Sequence, residues 1–175
     1  MKYVALLRGI NVGGNRTVPM TDLRQVFAGL GFSGISTYIN SGNVIFSSSQ
    51  VPDAAQIEAA LKRHFGFTIG TLVLSQVKLA SVISAIPSKW ANDTAQKSDI
   101  AFLFDDADSP DIVKRVGYRS EIETFIYVPG ALIMNISRTN QPKGSLLKLV
   151  GTPLYRQMTI RNINTVHKLA DLARE

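Results

Sequence analysis

Two short apolar runs with no polar interruption, Val4-Ala5-Leu6-Leu7 and Ile100-Ala101-Phe102-Leu103-Phe104, limit most strongly what this chain can become. Neither is long enough for a helix of its own, and neither alternates as a strand with one wet face does. Each reads as a strand buried on both faces. Such a strand needs other elements packed on either side, and a chain of 175 residues, 45% hydrophobic, is long enough to supply them.

The order of elements after the two runs is the same. After the first, Thr21 caps a helix carrying Leu23, Val26, Phe27 and Leu30 that Gly31 ends. Strands at 35–39 and 44–46 follow, joined by the turn Asn40-Ser41-Gly42-Asn43. Pro52-Asp53 opens a second helix with Ile57, Leu61 and Phe65 on one face and Gly66 as its stop. A strand at 68–74 and a third helix with Val77, Val82, Ile83 and Ile86 inward run on to Pro87. After the second run, Ser109-Pro110 opens a helix with Ile112, Val113 and Val116, and strands at 124–128 and 132–136 turn through Pro129-Gly130. Ser145 caps a short helix of Leu146, Leu147, Leu149 and Val150, a strand occupies 158–161, and Val166, Leu169 and Leu172 mark the last helix, capped by Asn164 or Thr165.

Strand–helix–strand–strand–helix–strand is the order of a ferredoxin-like module, in which the first and third strands are central. The expected fold is α+β: two ferredoxin-like modules, each with an extra helix, at residues 1–87 and 97–175. Residues 88–96 form the linker, and the need to cover the central strands predicts that the modules pack as one compact body.

Charge is unevenly placed. The net charge is +6, yet residues 1–21 and 124–170 contain no acid, while the second window holds Arg138, Lys143, Lys148, Arg156, Arg161 and Lys168. Such a field attracts phosphate-bearing partners. The absence of cysteine excludes disulfides and thiolate chemistry and fits a reducing compartment, so the expected location is cytoplasmic. No stretch approaches the ~20 apolar residues of a membrane helix, and no membrane association is expected.

Three polar stretches stand out as ligand-binding candidates. Arg8, Gly9, Asn11, Gly13, Gly14 and Asn15 follow the first buried strand, and their main-chain N–H groups, with Arg8 and Arg16, suit an anion. Neither the dinucleotide fingerprint nor the phosphate-loop spacing is present. Asn40, Ser41 and Asn43 make the hairpin turn. Arg161, Asn162, Asn164, Thr165 and Lys168 surround the start of the last helix, whose free N–H groups also suit an anion. His64 and His167 lie in no metal-binding spacing, and Asp105, Asp106, Asp108 and Asp111 read as complements to a helix N-terminus. No cofactor or metal is implied, and no serine–histidine pairing or other catalytic group emerges.

Taken together, Leu7-Arg8-Gly9-Ile10-Asn11-Val12-Gly13-Gly14, Tyr38-Ile39-Asn40-Ser41-Gly42-Asn43-Val44 and Thr159-Ile160-Arg161-Asn162-Ile163-Asn164-Thr165 with Lys168-Leu169 closely resemble a bacterial family catalogued as domain of unknown function 1697. The chain departs from that pattern at Ile163, where the family commonly has an aromatic residue. The resemblance implies an α+β fold of two related ferredoxin-like parts and carries no activity with it. The resulting expectation is a protein that binds a phosphate-bearing or anionic ligand, nucleic acid among them, in a cleft between modules where the three motifs converge. The competing readings are an enzyme acting on a small anionic substrate and a ligand-free structural or protein-interaction module.

Overall fold

The computed structural model describes residues 1–14 and 16–174, and it contains the repeat. Strands β1 (Lys2–Leu7), β2 (Ser33–Tyr38), β3 (Asn43–Ser47) and β4 (Thr71–Ser75) form one antiparallel sheet in the order β2-β3-β1-β4. Strands β5 (Gln96–Leu103), β6 (Glu123–Val128), β7 (Ala131–Ser137) and β8 (Met158–Asn162) form a second in the order β6-β7-β5-β8. The helices are α1 (Met20–Gly29), α2 (Ala54–Phe65) and α3 (Gln76–Ser84), then α4 (Ile112–Arg115), α5 (Ser145–Leu149) and α6 (Ile163–Arg174). The chain divides into two compact units, Met1–Ala80 with the residues from Leu169 onward, and Ser81–Lys168. The fold is α+β with two ferredoxin-like sheets, as the element order implied.

In both sheets the first and third strands are central. Val4, Ala5, Leu6 and Leu7 are fully buried, as are Ile100 and Ala101, which is what their unbroken apolar character required. On the helix side of the first sheet Tyr3, Ala5 and Leu7 pack with Leu23 and Phe27 of α1 and with Ile57 and Leu61 of α2. The second sheet buries Ala101 and Leu103 against Ile112, Val116 and Leu149.

Helix α2 follows the expected local rules. Asp53 accepts from the Ala55 N–H at 2.8 Å, Gly66 closes the helix in the left-handed region at φ +80°, and Lys62, Arg63 and His64 place positive charge on its last turn. Elsewhere the ends differ from expectation. Thr21 does not cap α1: Pro19 holds the N-cap position and the Thr21 hydroxyl donates to Asp22 Oδ1 at 3.1 Å. Val77, expected inward, is 70% exposed, and Leu79 and Val82 are the buried side of α3.

In the second unit α4 is only four residues long and starts beyond Pro110, with Asp111 at its N-cap making no side-chain capping bond. Asp108 leaves the helix altogether and accepts from Tyr127 Oη at 2.9 Å and from the Gly130 N–H at 2.7 Å, tying the β6–β7 turn. Gly144, not Ser145, is the N-cap of α5, and the Ser145 hydroxyl instead donates to Gly117 O and to Glu123. The cap of α6 is Asn162, whose Oδ1 accepts from the Thr165 N–H at 2.9 Å, in place of Asn164 or Thr165. For Asp108 and Ser145 a partner distant in sequence displaces the local capping bond.

Candidate functional site at the end of the first central strand

Where β1 ends, its main chain is held on both sides. Leu7 N–H donates to Gly42 O and Arg8 N–H to Gly70 O, each at 2.8 Å. The chain then leaves the sheet through Gly9, at φ +68°, into an exposed loop. Asn11 closes that loop. Its N–H donates to Arg16 O at 3.1 Å, its Oδ1 accepts from Val18 N–H at 2.8 Å, and its Nδ2 donates to Val18 O at 3.0 Å and to Asn40 O at 2.8 Å. The last bond crosses to the hairpin turn, so the first two motifs meet within one unit.

The turn packs closely beneath the loop. Gly42 lies at φ +81°, and a Cβ there would stand 2.8 Å from both Ile10 Cδ1 and Leu7 Cβ. Only glycine satisfies both conditions. Asn43 is fully buried, and its Nδ2 donates to Tyr38 O at 3.0 Å and to Ser41 Oγ at 2.9 Å, which rigidifies the turn. Asn11 and Asn43, named as ligand contacts, thus spend amide bonds on positioning the main chain.

The exposed rim combines charge, main chain and apolar surface. Gly13 and Gly14, at φ +64° and +75°, have open space where a side chain would stand. The Arg16 guanidinium carbon sits 5.7 Å from the centre of the Phe67 ring, close enough for a cation–π attraction. Arg8 is half-buried, and Val12 and Ile39 are 70% and 49% exposed. Asn15 lies outside the described residues. Ile39 and Phe67 were not among the residues singled out from sequence.

The third motif belongs to the second unit. Arg161 is buried on β8, with Nη1 donating to Thr159 Oγ1 at 3.0 Å and Ile160 O at 2.9 Å. Burial pulls its pKa down to about 10, so it remains charged near neutrality. Asn162 is the cap of α6, Thr165 is buried, and Asn164 is exposed with Nδ2 donating to Asn92 O at 3.3 Å; Lys168 is exposed. Among the described residues no group of three or more His, Asp or Glu is arranged to hold a metal ion, and no helix is long and apolar enough to cross a membrane.

Residues 1–132 match the family described as "Protein of unknown function (DUF1697)". The chain belongs to that family. It is also similar to a solved structure, the conserved bacterial protein SP0830 from Streptococcus pneumoniae, at 29% identity over 98% of each chain, with a TM-score of 0.84. No curated protein matches the chain. The family match spans the whole first unit up to Ala80 and reaches Leu132 in β7, so both motifs that meet at the end of β1 lie inside it.

Proposed function

We propose that the rim formed by residues 8–14, Arg16 and residues 39–42 binds a phosphate-bearing or other anionic ligand. One observation carries this reading. Among the described residues, the non-glycine residues with positive φ are Asn11, Arg16 and Ile39, at +54°, +54° and +50°, and all lie on these two cross-linked segments. Left-handed backbone costs a non-glycine residue roughly 1–2 kcal/mol, most for a β-branched one such as isoleucine. Strain of this kind persists where the surroundings enforce it and concentrates at binding sites.

The chemistry of the rim supports an anion. Arg8 and Arg16 supply charge, residues 1–21 carry no acid to offset it, and Gly13 and Gly14 let a ligand approach the main chain. The apolar faces of Val12 and Ile39 offer contact to an uncharged part of the same ligand.

Thermal unfolding of the full chain at low salt, with and without pyrophosphate, mononucleotides and short RNA or DNA, tests the reading, because a ligand of the folded state raises Tm. The expected result is a rise of several degrees that salt suppresses and Arg16→Ala removes. A rise with pyrophosphate or mononucleotide assigns a small ligand; a rise that needs an oligonucleotide assigns nucleic acid. No rise with any of them would leave the strained rim as scaffold and overturn the proposal.

A further inference from the structure

The helix-side cores of the two units differ most at one end of the central strand. The bonds Leu7 N–H to Gly42 O and Leu103 N–H to Gly130 O are equivalent, as are Arg8 N–H to Gly70 O and Phe104 N–H to Gln157 O. The sheets therefore share a register. Further back along the central strand, Tyr3 faces Phe46 in the first unit, and the matching pair in the second is Asp99 facing Met134. Tyr3 stacks on Phe46 with ring centres 5.8 Å apart, and Phe27 and Phe32 close around the same ring at 5.2 and 4.5 Å.

The second unit leaves that end open. Its α4 and α5 have four and five residues where α1 and α2 have ten and twelve, so the helix layer is short. A cavity of about 50 Å³ results, walled by Phe125, Met134, Leu146 and Leu147, with Asp99 and Glu123 as its acids. At roughly 10–15 Å³ of such space per water, it takes about three to five heavy atoms.

The two acids are not alike. Glu123, 5% exposed, accepts from the Arg119 N–H at 3.0 Å, the Ser145 N–H at 3.1 Å and the Ser145 hydroxyl, so it ties two loops together. Asp99, 7% exposed, has Lys97 Nζ 2.9 Å from its Oδ2, and the Lys97 side chain is itself 29% exposed. A buried ion pair beside empty apolar space adds little stability, because desolvation offsets the attraction. Two carboxylates against one ammonium leave the lining with a surplus negative charge.

We propose that this cavity binds a small primary amine with a short branched apolar tail. Its ammonium takes the place of Lys97 on Asp99, and its tail lies on Met134, Leu146 and Leu147. Lys97 is exposed enough to swing into water when displaced.

The test is a titration of the full chain, labelled at methionine and leucine methyls, with isobutylamine, isobutanol and isobutyrate. Saturable shifts of the Met134, Leu146 and Leu147 methyls are expected with the amine, at least about tenfold tighter than with the alcohol, and none with the carboxylate. Asp99→Asn lowers amine affinity at least about tenfold, and Lys97→Gln raises it by removing the competing ammonium. Met134→Phe, which installs the first unit's solution, abolishes binding with the fold intact by circular dichroism. Equal affinity for amine and alcohol, unchanged affinity in Lys97→Gln, or binding that survives in Met134→Phe would each overturn the proposal. The last two variants keep the test decisive where Asp99→Asn fails to fold.

Discussion

The first unit and the second run the same strand order through the same register and finish it differently. At the helix-side end of the sheet, Tyr3, Phe27, Phe32 and Phe46 fill the first unit with rings; Asp99 and Met134 leave the second with a cavity. At the opposite end of the central strand the contrast reverses. There the first unit leaves through a strained, exposed loop at Asn11 and Arg16, while the second passes directly into the 3₁₀ turn Asp105–Ala107. One architecture thus carries its unusual backbone at one end of one copy and its unusual side chains at the other end of the other copy. The sheet constrains the central strands and leaves each end free to vary.

Removing the ring at the centre of the first core gives the largest expected effect. Phe46→Ala should cost about 3–5 kcal/mol, whereas Met134→Ala, beside a cavity that already exists, should fall near the low end of the range, about 2 kcal/mol. Urea denaturation of the full chain reads both, and equal losses would break the comparison. Gly42→Ala comes next, because it meets both a left-handed backbone and a 2.8 Å collision. About 2–4 kcal/mol should be lost, against about 1 kcal/mol for Gly13→Ala, which meets open space.

Asn11→Ala sharpens the picture at the loop. It strips the bonds to Val18 and Asn40, should cost about 1–3 kcal/mol, and should weaken anion binding although Arg8 and Arg16 remain. Anion affinity equal to wild type in that variant would show that the loop need not be held in this form. The helix caps should behave alike in the two units: Asp53→Ala and Asn162→Ala should each cost about 1 kcal/mol by the same measurement.

The smallest effect is one of pH. Main-chain N–H groups of Gln96 and Ala95, with the Arg138 charge behind them, hold the Asp93 carboxyl below its ordinary value of 3.8. A depressed carboxyl stabilises the fold fully above that ordinary value, and the contribution disappears as pH falls through the lower folded value. Tm measured down the acid limb should therefore fall less steeply for Asp93→Asn than for wild type. Identical acid limbs would show that this turn contributes nothing to the entry into β5.

Much of this fold was readable because burial on both faces forces an unbroken apolar run. Val4-Ala5-Leu6-Leu7 and Ile100-Ala101-Phe102 sit where that rule places them, and the Asp53 and Gly66 signals mark the ends of α2. The geometry of the candidate rim was readable in part. The glycine loop and the hairpin turn are joined, but by Asn11 acting on main-chain groups, and no spacing rule relates residue 11 to residue 40.

The sequence by itself determined the alternation of strands and helices, the central position of the two apolar runs, the helix stops at glycine and the basic, acid-free windows. These follow from local torsional preference and from hydrophobicity, which act over a few residues. Only the tertiary structure decided that Ser145 and Asp108 would leave their helix ends for Gly117, Tyr127 and Gly130, that Ile39 would adopt a left-handed backbone, and that Asp99 would stand where Tyr3 stands. Those outcomes depend on which distant groups arrive within hydrogen-bonding or packing reach. That is set by the closure of the whole sheet, so it is written in no single stretch of the chain.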